Sequence, residues 1–408
     1  MNKKKLNIAT KIALTYLVFV GLLAFFRSGM SGVFSIYYSA SGIEEHNISF
    51  IKSFQNIGIL MGLIPAGILA DKIGRLKVLT LSSWIMAISF GIILTSSTLV
   101  SFSIAEWLYG IGLALNSGIL LAYVSDLQEE KGVVISNQTM GRRTTVLNAA
   151  TLLGGNIGTS LFNVNIDFPL YFSIIGLSIY PFIIFFWLKI SGFKDNKSEI
   201  LSIEKTSEKK LKKILALSNL RNFKINRPLL NISIANLIFE AAIQFVLIYW
   251  SIYYVQQLGF NLTLVFTLMM SAVILGSELY VKIINYLENS TVLLSSILVM
   301  GISLVGIGMI DYKMFSLILF ILFEIGTGIF TSSVHAEQNK ALISQNNKSK
   351  VLSLIDFTTE ISVIFVLMIN NYFIESLGVQ KMFIASGMLL GLVLLVVLKN
   401  QSIKERIS

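Results

Sequence analysis

The sequence predicts an all-α membrane protein, with twelve transmembrane helices in two pseudo-symmetric six-helix bundles. Three observations carry this expectation. Apolar residues make up 54% of the chain and charged residues only 13%, against about 25% charged in soluble domains, so there is too little charge to cover a water-facing surface. Apolar runs long enough to cross a bilayer, about 20 residues each, recur from end to end. The basic residues collect in the gaps between those runs, and mostly in alternate gaps.

The twelve runs lie near 12–38, 49–70, 78–97, 102–124, 143–164, 168–188, 229–255, 262–283, 291–310, 314–335, 351–374 and 381–399. The first follows Lys3, Lys4 and Lys5, as a signal peptide would. It continues past Phe26 with no A-x-A-like cleavage site and reads as a retained helix. With both termini placed in the cytoplasm, 28 of the 32 Lys and Arg residues fall on that side. Lys52, Lys313 and Lys381 fall outside, and Arg27 lies inside the first run. Such a bias sets orientation and predicts a multi-pass protein of the cell membrane with cytoplasmic termini. Only residues 189–228 form a long polar stretch, with 11 basic residues against Asp195, Glu199, Glu204 and Glu208. They divide the chain into a six-helix half over 1–188, a basic cytoplasmic linker on the anionic inner leaflet, and a second half over 229–408. The halves also echo one another: Ile36-Tyr37-Tyr38 with Gly42 closes the first run, and Ile252-Tyr253-Tyr254 with Gly259 closes the seventh.

Several chemistries have no residues to serve them. Cysteine is absent, and His46 and His335 stand far apart, so no metal-ligand spacing exists. No phosphate-binding G-x4-G-K-[ST] loop supports ATP coupling, and no nucleophile–base spacing suggests an enzyme. No cofactor is expected. The net charge of +10 follows the membrane-orientation pattern and implies no nucleic-acid partner.

Between the second and third runs stands Gly67-Ile68-Leu69-Ala70-Asp71-Lys72-Ile73-Gly74-Arg75-Leu76-Lys77. This resembles the G-x3-D-[RK]-x-G-R-[RK] signature of the major facilitator superfamily, with Lys77 supplying the last basic position one place late. The resemblance implies a secondary transporter working by alternating access, with Asp71 latching onto the facing half near the start of the eleventh helix. Gly67 would let the second helix pack closely, and Gly74 would permit the tight turn. Asp126, Gly141-Arg142-Arg143 and Lys348-Ser349-Lys350-Val351-Leu352-Ser353 resemble drug-exporter-like members. Glu106 stands where many members carry Arg, and Gly154-Gly155-Asn156-Ile157-Gly158 lacks the G-P-x2-G-G pattern of proton antiporters.

Ionisable residues at membrane depth are costly and default to function. The candidates for a substrate or proton pathway are Arg27, Glu106, Glu240, Glu324, Asp356 and Glu360, with Glu278 nearer an interface. Aligning the I-Y-Y triplets sets Arg27 opposite Ile243, one turn from Glu240, and so predicts an Arg27–Glu240 pair. Gln55, Asn56, Asn116, Asn148, Asn156, Gln244, Tyr249 and Trp250 could line the same cavity or join helices. Gly58-x3-Gly62 and Gly154-x3-Gly158 read as close helix packing. The expectation is a monomeric, proton-linked exporter of small amphipathic or cationic compounds such as drugs. The alternatives are a proton-coupled uptake symporter for a nutrient or organic anion, which Arg27 would anchor, and a non-transporting membrane sensor.

Overall fold

A computed structural model describes residues 3–135, 137–193, 226–343 and 348–405. Positions 194–225, the body of the expected linker, lie outside the described residues. Every regular element among the described residues is helical. In chain order these are α1 (Lys3–Arg27), a 3₁₀ turn (Ser28–Met30), α2 (Phe34–Ala40), α3 (Glu45–Ile73), α4 (Arg75–Thr95), α5 (Leu99–Asn116), α6 (Ile119–Lys131), α7 (Asn137–Phe162) and α8 (Phe168–Ser191). There follow α9 (Arg227–Ser251), a π-helical turn (Ile252–Gln257), α10 (Leu262–Ile283), α11 (Asn289–Met309), α12 (Lys313–Ile343), α13 (Lys348–Leu377) and α14 (Val379–Glu405).

Among the described residues ten stretches are long and apolar enough to cross a membrane, and α3 makes eleven if its two straight parts, Glu45–Leu63 and Pro65–Ile73, form one bent span. Proline inside a helix removes a hydrogen bond and bends the axis. The remaining expected run, 143–164, is helical within α7, but Asn148, Asn156 and several Thr and Gly residues keep it below the same apolar standard. Helix starts are capped where the sequence offers a cap: the Leu229 N–H donates to Asn226 Oδ1 and the Leu264 N–H to Asn261 Oδ1, both at 3.0 Å. Glycine is required at two joints. Gly74 (φ 103°) separates α3 from α4, and Gly118 (φ 71°) separates α5 from α6, both in backbone regions that side chains avoid.

The chain forms two compact units. The first comprises Met1–Ser31 and Phe54–Lys224, and the second Gly32–Ser53 and Ile225–Ser408. In the first, α1 packs on α7 through the expected glycine pair: a Cβ at Gly154 would strike the Phe25 carbonyl, and one at Gly158 the Gly29 carbonyl. Gly58 and Gly62 do the same for α3 against α5, at Trp107 and Ala114. Gly67 does not. It is exposed, and a Cβ there would meet nothing within 4 Å, so the close approach lies two turns earlier than the signature suggests. The second unit repeats the arrangement. Gly58 against Trp107 and Gly110 against Gln55 recur as Gly276 against Ile325 and Gly328 against Val273, each 218 positions on. Gly112 beside Met86 and Ser82 recurs as Gly326 beside Met300 and Ser296.

Candidate functional site

In the first unit, the signature turn is fixed by an ion pair that bridges two helices. Arg75 opens α4, and its guanidinium engages both carboxylate oxygens of Asp126 on α6, with Nη2 to Oδ1 at 3.2 Å. A two-pronged geometry of this kind orients as well as attracts. Asp71, Lys72 and Lys77 are exposed on the flanking turns, and Gly74 is buried between them. The sequence marked both Arg75 and Asp126 but did not pair them, because 51 positions separate them. Arg143, from the same sequence signal, hydrogen-bonds Tyr16 of α1.

Deeper in this unit, Arg27 ends α1 immediately before the 3₁₀ turn. Phe25 and Phe26 hold that end of the helix, Phe25 meeting Phe172 of α8 at 5.5 Å between ring centres, with Gly176 directly under the Phe26 ring. Thus fixed, the Arg27 guanidinium hydrogen-bonds the Tyr109 hydroxyl on α5, with Glu106 within electrostatic reach of the same hydroxyl. Glu106 is fully buried at 0% exposure and Tyr109 is buried at 3%. Burial of a carboxylate this deep needs compensation, and Arg27 acts on the same Tyr109 hydroxyl as Glu106 does. Arg27 therefore has partners inside its own unit, which the sequence did not foresee. The expectation of an Arg27–Glu240 pair took no account of Glu106, one turn from Tyr109.

The second unit carries its charges differently. Glu360 of α13 lies within electrostatic reach of Glu240 on α9 and of Asp356, one turn before it on its own helix. Glu240 and Glu360 are half-buried, and Asp356 is exposed. Glu324 of α12 is buried at 4% exposure, near Tyr254, whose ring stacks on Phe320 at 4.7 Å. Its hydroxyl donates to the Ser316 carbonyl at 3.0 Å. The runs 229–255, 314–335 and 351–374, which hold these four carboxylates, contain no Lys or Arg. Among the described residues, none of the four forms an ion pair. Glu278 is exposed on α10, in keeping with an interfacial place.

The second unit also has a clamp that the sequence did not reveal. Asn289, which opens α11 as Arg75 opens α4, donates from Nδ2 to Glu337 Oε1 and to the Ser333 carbonyl, both at 3.1 Å. Its Oδ1 accepts from Tyr280 Oη at 2.9 Å and Ser333 Oγ at 2.8 Å. One side-chain amide thus ties the ends of α10, α11 and α12 together with every site filled. Tyr249 and Trp250, expected as cavity lining, are buried at 0% and 4%. Tyr249 hydrogen-bonds backbone instead. Among the described residues no cluster of His, Asp and Glu could hold a metal.

A family model described as Major Facilitator Superfamily matches residues 17–341. No curated protein sequence matches. Among solved structures, the nucleoside transporter NupG aligns over 95% of this chain and 98% of its own, at 11% identity and a TM-score of 0.73. A POT family transporter in complex with a thioalcohol-conjugated peptide aligns over 97% and 96%, at 15% identity and TM-score 0.71. The human organic anion transporter MFSD10 (TETRAN) aligns over 95% and 99%, at 14% identity and TM-score 0.63. At these identities the likeness is one of fold.

Proposed function

We propose that this chain, which belongs to the Major Facilitator Superfamily and is a transporter rather than an enzyme, exports small amphipathic or cationic compounds such as drugs in exchange for protons. The observation that carries this reading is the carboxylate set of the second unit, with Glu324 buried at 4% exposure and no Lys or Arg within the apolar runs 229–255, 314–335 and 351–374 that bear it. A charge held in low dielectric without a counter-ion is relieved by a proton or a bound cation. Groups of that kind, exposed alternately to each side, can load and release either one. Glu240, Glu324 and Glu360 are the proton candidates, with Asp356 at the entrance. Arg27 supports the second reading, uptake of an organic anion, a class represented among the structural neighbours. Its engagement with Tyr109 and Glu106 argues for a structural duty instead.

On this reading the protein works as a monomer in the cell membrane, with both termini and the basic linker 189–228 on the cytoplasmic side, and Asp71 holds the latch of the state switch. Asp71→Asn is expected to abolish transport while leaving membrane insertion intact, as measured by uptake into vesicles of matched protein content. Normal turnover in that variant would remove the latch. The function itself is tested in proteoliposomes with an imposed pH gradient and a panel of cationic dyes and organic anions, with and without an uncoupler. Gradient-driven, uncoupler-sensitive movement of a cationic compound toward the acidic side supports the reading. Movement of anions alone, or none that responds to the gradient, overturns it.

A further inference from the structure

Tyr249 places its hydroxyl against the first turn of another helix, touching both members of one i, i+4 backbone pair. The Ser49 N–H donates to Tyr249 Oη at 3.0 Å, and that hydroxyl donates to the Glu45 carbonyl at 2.8 Å. Ser49 and Glu45 are four positions apart in α3, the pair that an α-helix ordinarily bonds directly. The contact is held from behind: the Tyr249 ring stacks on Phe245 at 4.9 Å and 15°, and Phe245 meets Phe383 edge-on at 5.1 Å. Nothing polar is left over, since the hydroxyl gives and accepts one bond each.

The place of this contact gives it meaning. Residues Gly32–Ser53 belong to the second compact unit, although the rest of α1 and α3 belongs to the first. They are attached at the end of α3 remote from the signature turn. Ser39 Oγ and the Gln256 side chain lie in hydrogen-bond contact at 3.1 Å. Lys52 Nζ sits 3.6 Å from the centre of the Phe34 ring, within the same segment. The Ser49–Tyr249 bond is buried, whereas the Ser39–Gln256 contact is exposed.

We infer that Tyr249 is a reversible latch, which holds residues 32–53 against α9 in one transport state and lets them go in the other. The design removes the usual penalty for opening. Withdrawing a side chain from a buried hydrogen bond ordinarily leaves an orphaned backbone group, at substantial cost. Here the Ser49 N–H and the Glu45 carbonyl are an i, i+4 pair of a helix that runs unbroken from Glu45, so they satisfy each other when the hydroxyl leaves, and the tyrosine takes water in the opened cleft. The backbone is therefore satisfied in both states, as a two-state element requires if neither state is to be locked. The role rests on the alternating-access reading of the family, but not on any particular substrate.

The test reads opening directly and needs no substrate. The chain has no cysteine, so Ser35→Cys, at a position 6% exposed on α2, reports without background. In membrane vesicles, Tyr249→Phe keeps the stacked ring but removes the hydroxyl. It is expected to raise labelling of that thiol by a membrane-impermeant maleimide about three- to tenfold, the loss of one or two neutral hydrogen bonds, with a thermal midpoint close to that of the parent. Gln256→Ala, which removes the exposed bond beside it, is expected to raise labelling less than about twofold. Unchanged labelling in Tyr249→Phe would overturn the latch. So would an equal rise in Gln256→Ala, which would mean general loosening. Failure of Tyr249→Phe to fold would also overturn the latch, because the hydroxyl would then be a permanent structural bond. Transport that proves to involve an anion or no proton, with labelling as expected, would overturn the proposed function and leave the latch standing.

Discussion

The two units share helix packing down to matched glycines but treat charge in opposite ways. In the first, the interior cation and carboxylate stand together: Arg27, Tyr109 and Glu106 form one cluster, and Arg75 grips Asp126 at the signature turn. In the second, the apolar runs that hold Glu240, Glu324, Asp356 and Glu360 contain no Lys or Arg, and the equivalent clamp is an asparagine amide rather than an ion pair. A cluster that balances its own charge can remain as it is through a transport cycle. A set with surplus negative charge must exchange counter-charge with solution as its surroundings change. On the proposed function, the fixed part of the mechanism falls to the first unit and the variable part to the second.

The largest effect is expected where the balance is broken. Arg27→Ala leaves Glu106 buried without its cation and should cost about 3–5 kcal/mol, measured as unfolding of the purified protein. In a double-mutant cycle, Arg27 with Glu106 should show clear non-additivity, and more than Arg27 with Glu240. Additive behaviour with Glu106, or stronger coupling to Glu240, would break the comparison and restore the pair drawn from the aligned triplets. The clamps give smaller effects. Asn289→Ala removes an amide that fills four hydrogen bonds and should cost about 1–3 kcal/mol, with little dependence on salt. Arg75→Ala removes a partly exposed pair and should cost about 0.2–1 kcal/mol, a difference that shrinks as ionic strength rises. If Asn289→Ala proved the salt-sensitive variant, the two clamps would not differ in the way their chemistry implies.

Much of this could be read in the sequence, for identifiable reasons. Spans are legible because a bilayer demands length and apolarity together, and the repeat showed in Tyr37-Tyr38 and Tyr253-Tyr254. The glycine spacings at 58 and 62, and at 154 and 158, were read correctly as contacts because a gap of four keeps both residues on one helix face. Other features depend on which helices become neighbours, and a single sequence does not give this. Asp126 facing Arg75, Glu106 beside Arg27 and the Tyr280, Asn289, Ser333 and Glu337 network all join distant positions. Gly67 misled because its place in a signature suggested packing, whereas the structure leaves it open. The α7 helix falls short of the apolar standard that the other expected runs meet, because its Asn and Thr residues dilute the signal, and it packs on α1 through bare backbone.

The most direct test of the division between the units is gradient-driven transport in proteoliposomes, with one intramembrane carboxylate neutralised at a time. Glu240→Gln, Glu324→Gln and Glu360→Gln should each fold, and at least one should still exchange substrate while losing its response to the pH gradient. Glu106→Gln should lose stability, and whatever activity survives should still follow the gradient. If all three second-unit variants kept gradient-driven transport while Glu106→Gln abolished it, the proton would travel through the first unit and the account would be contradicted.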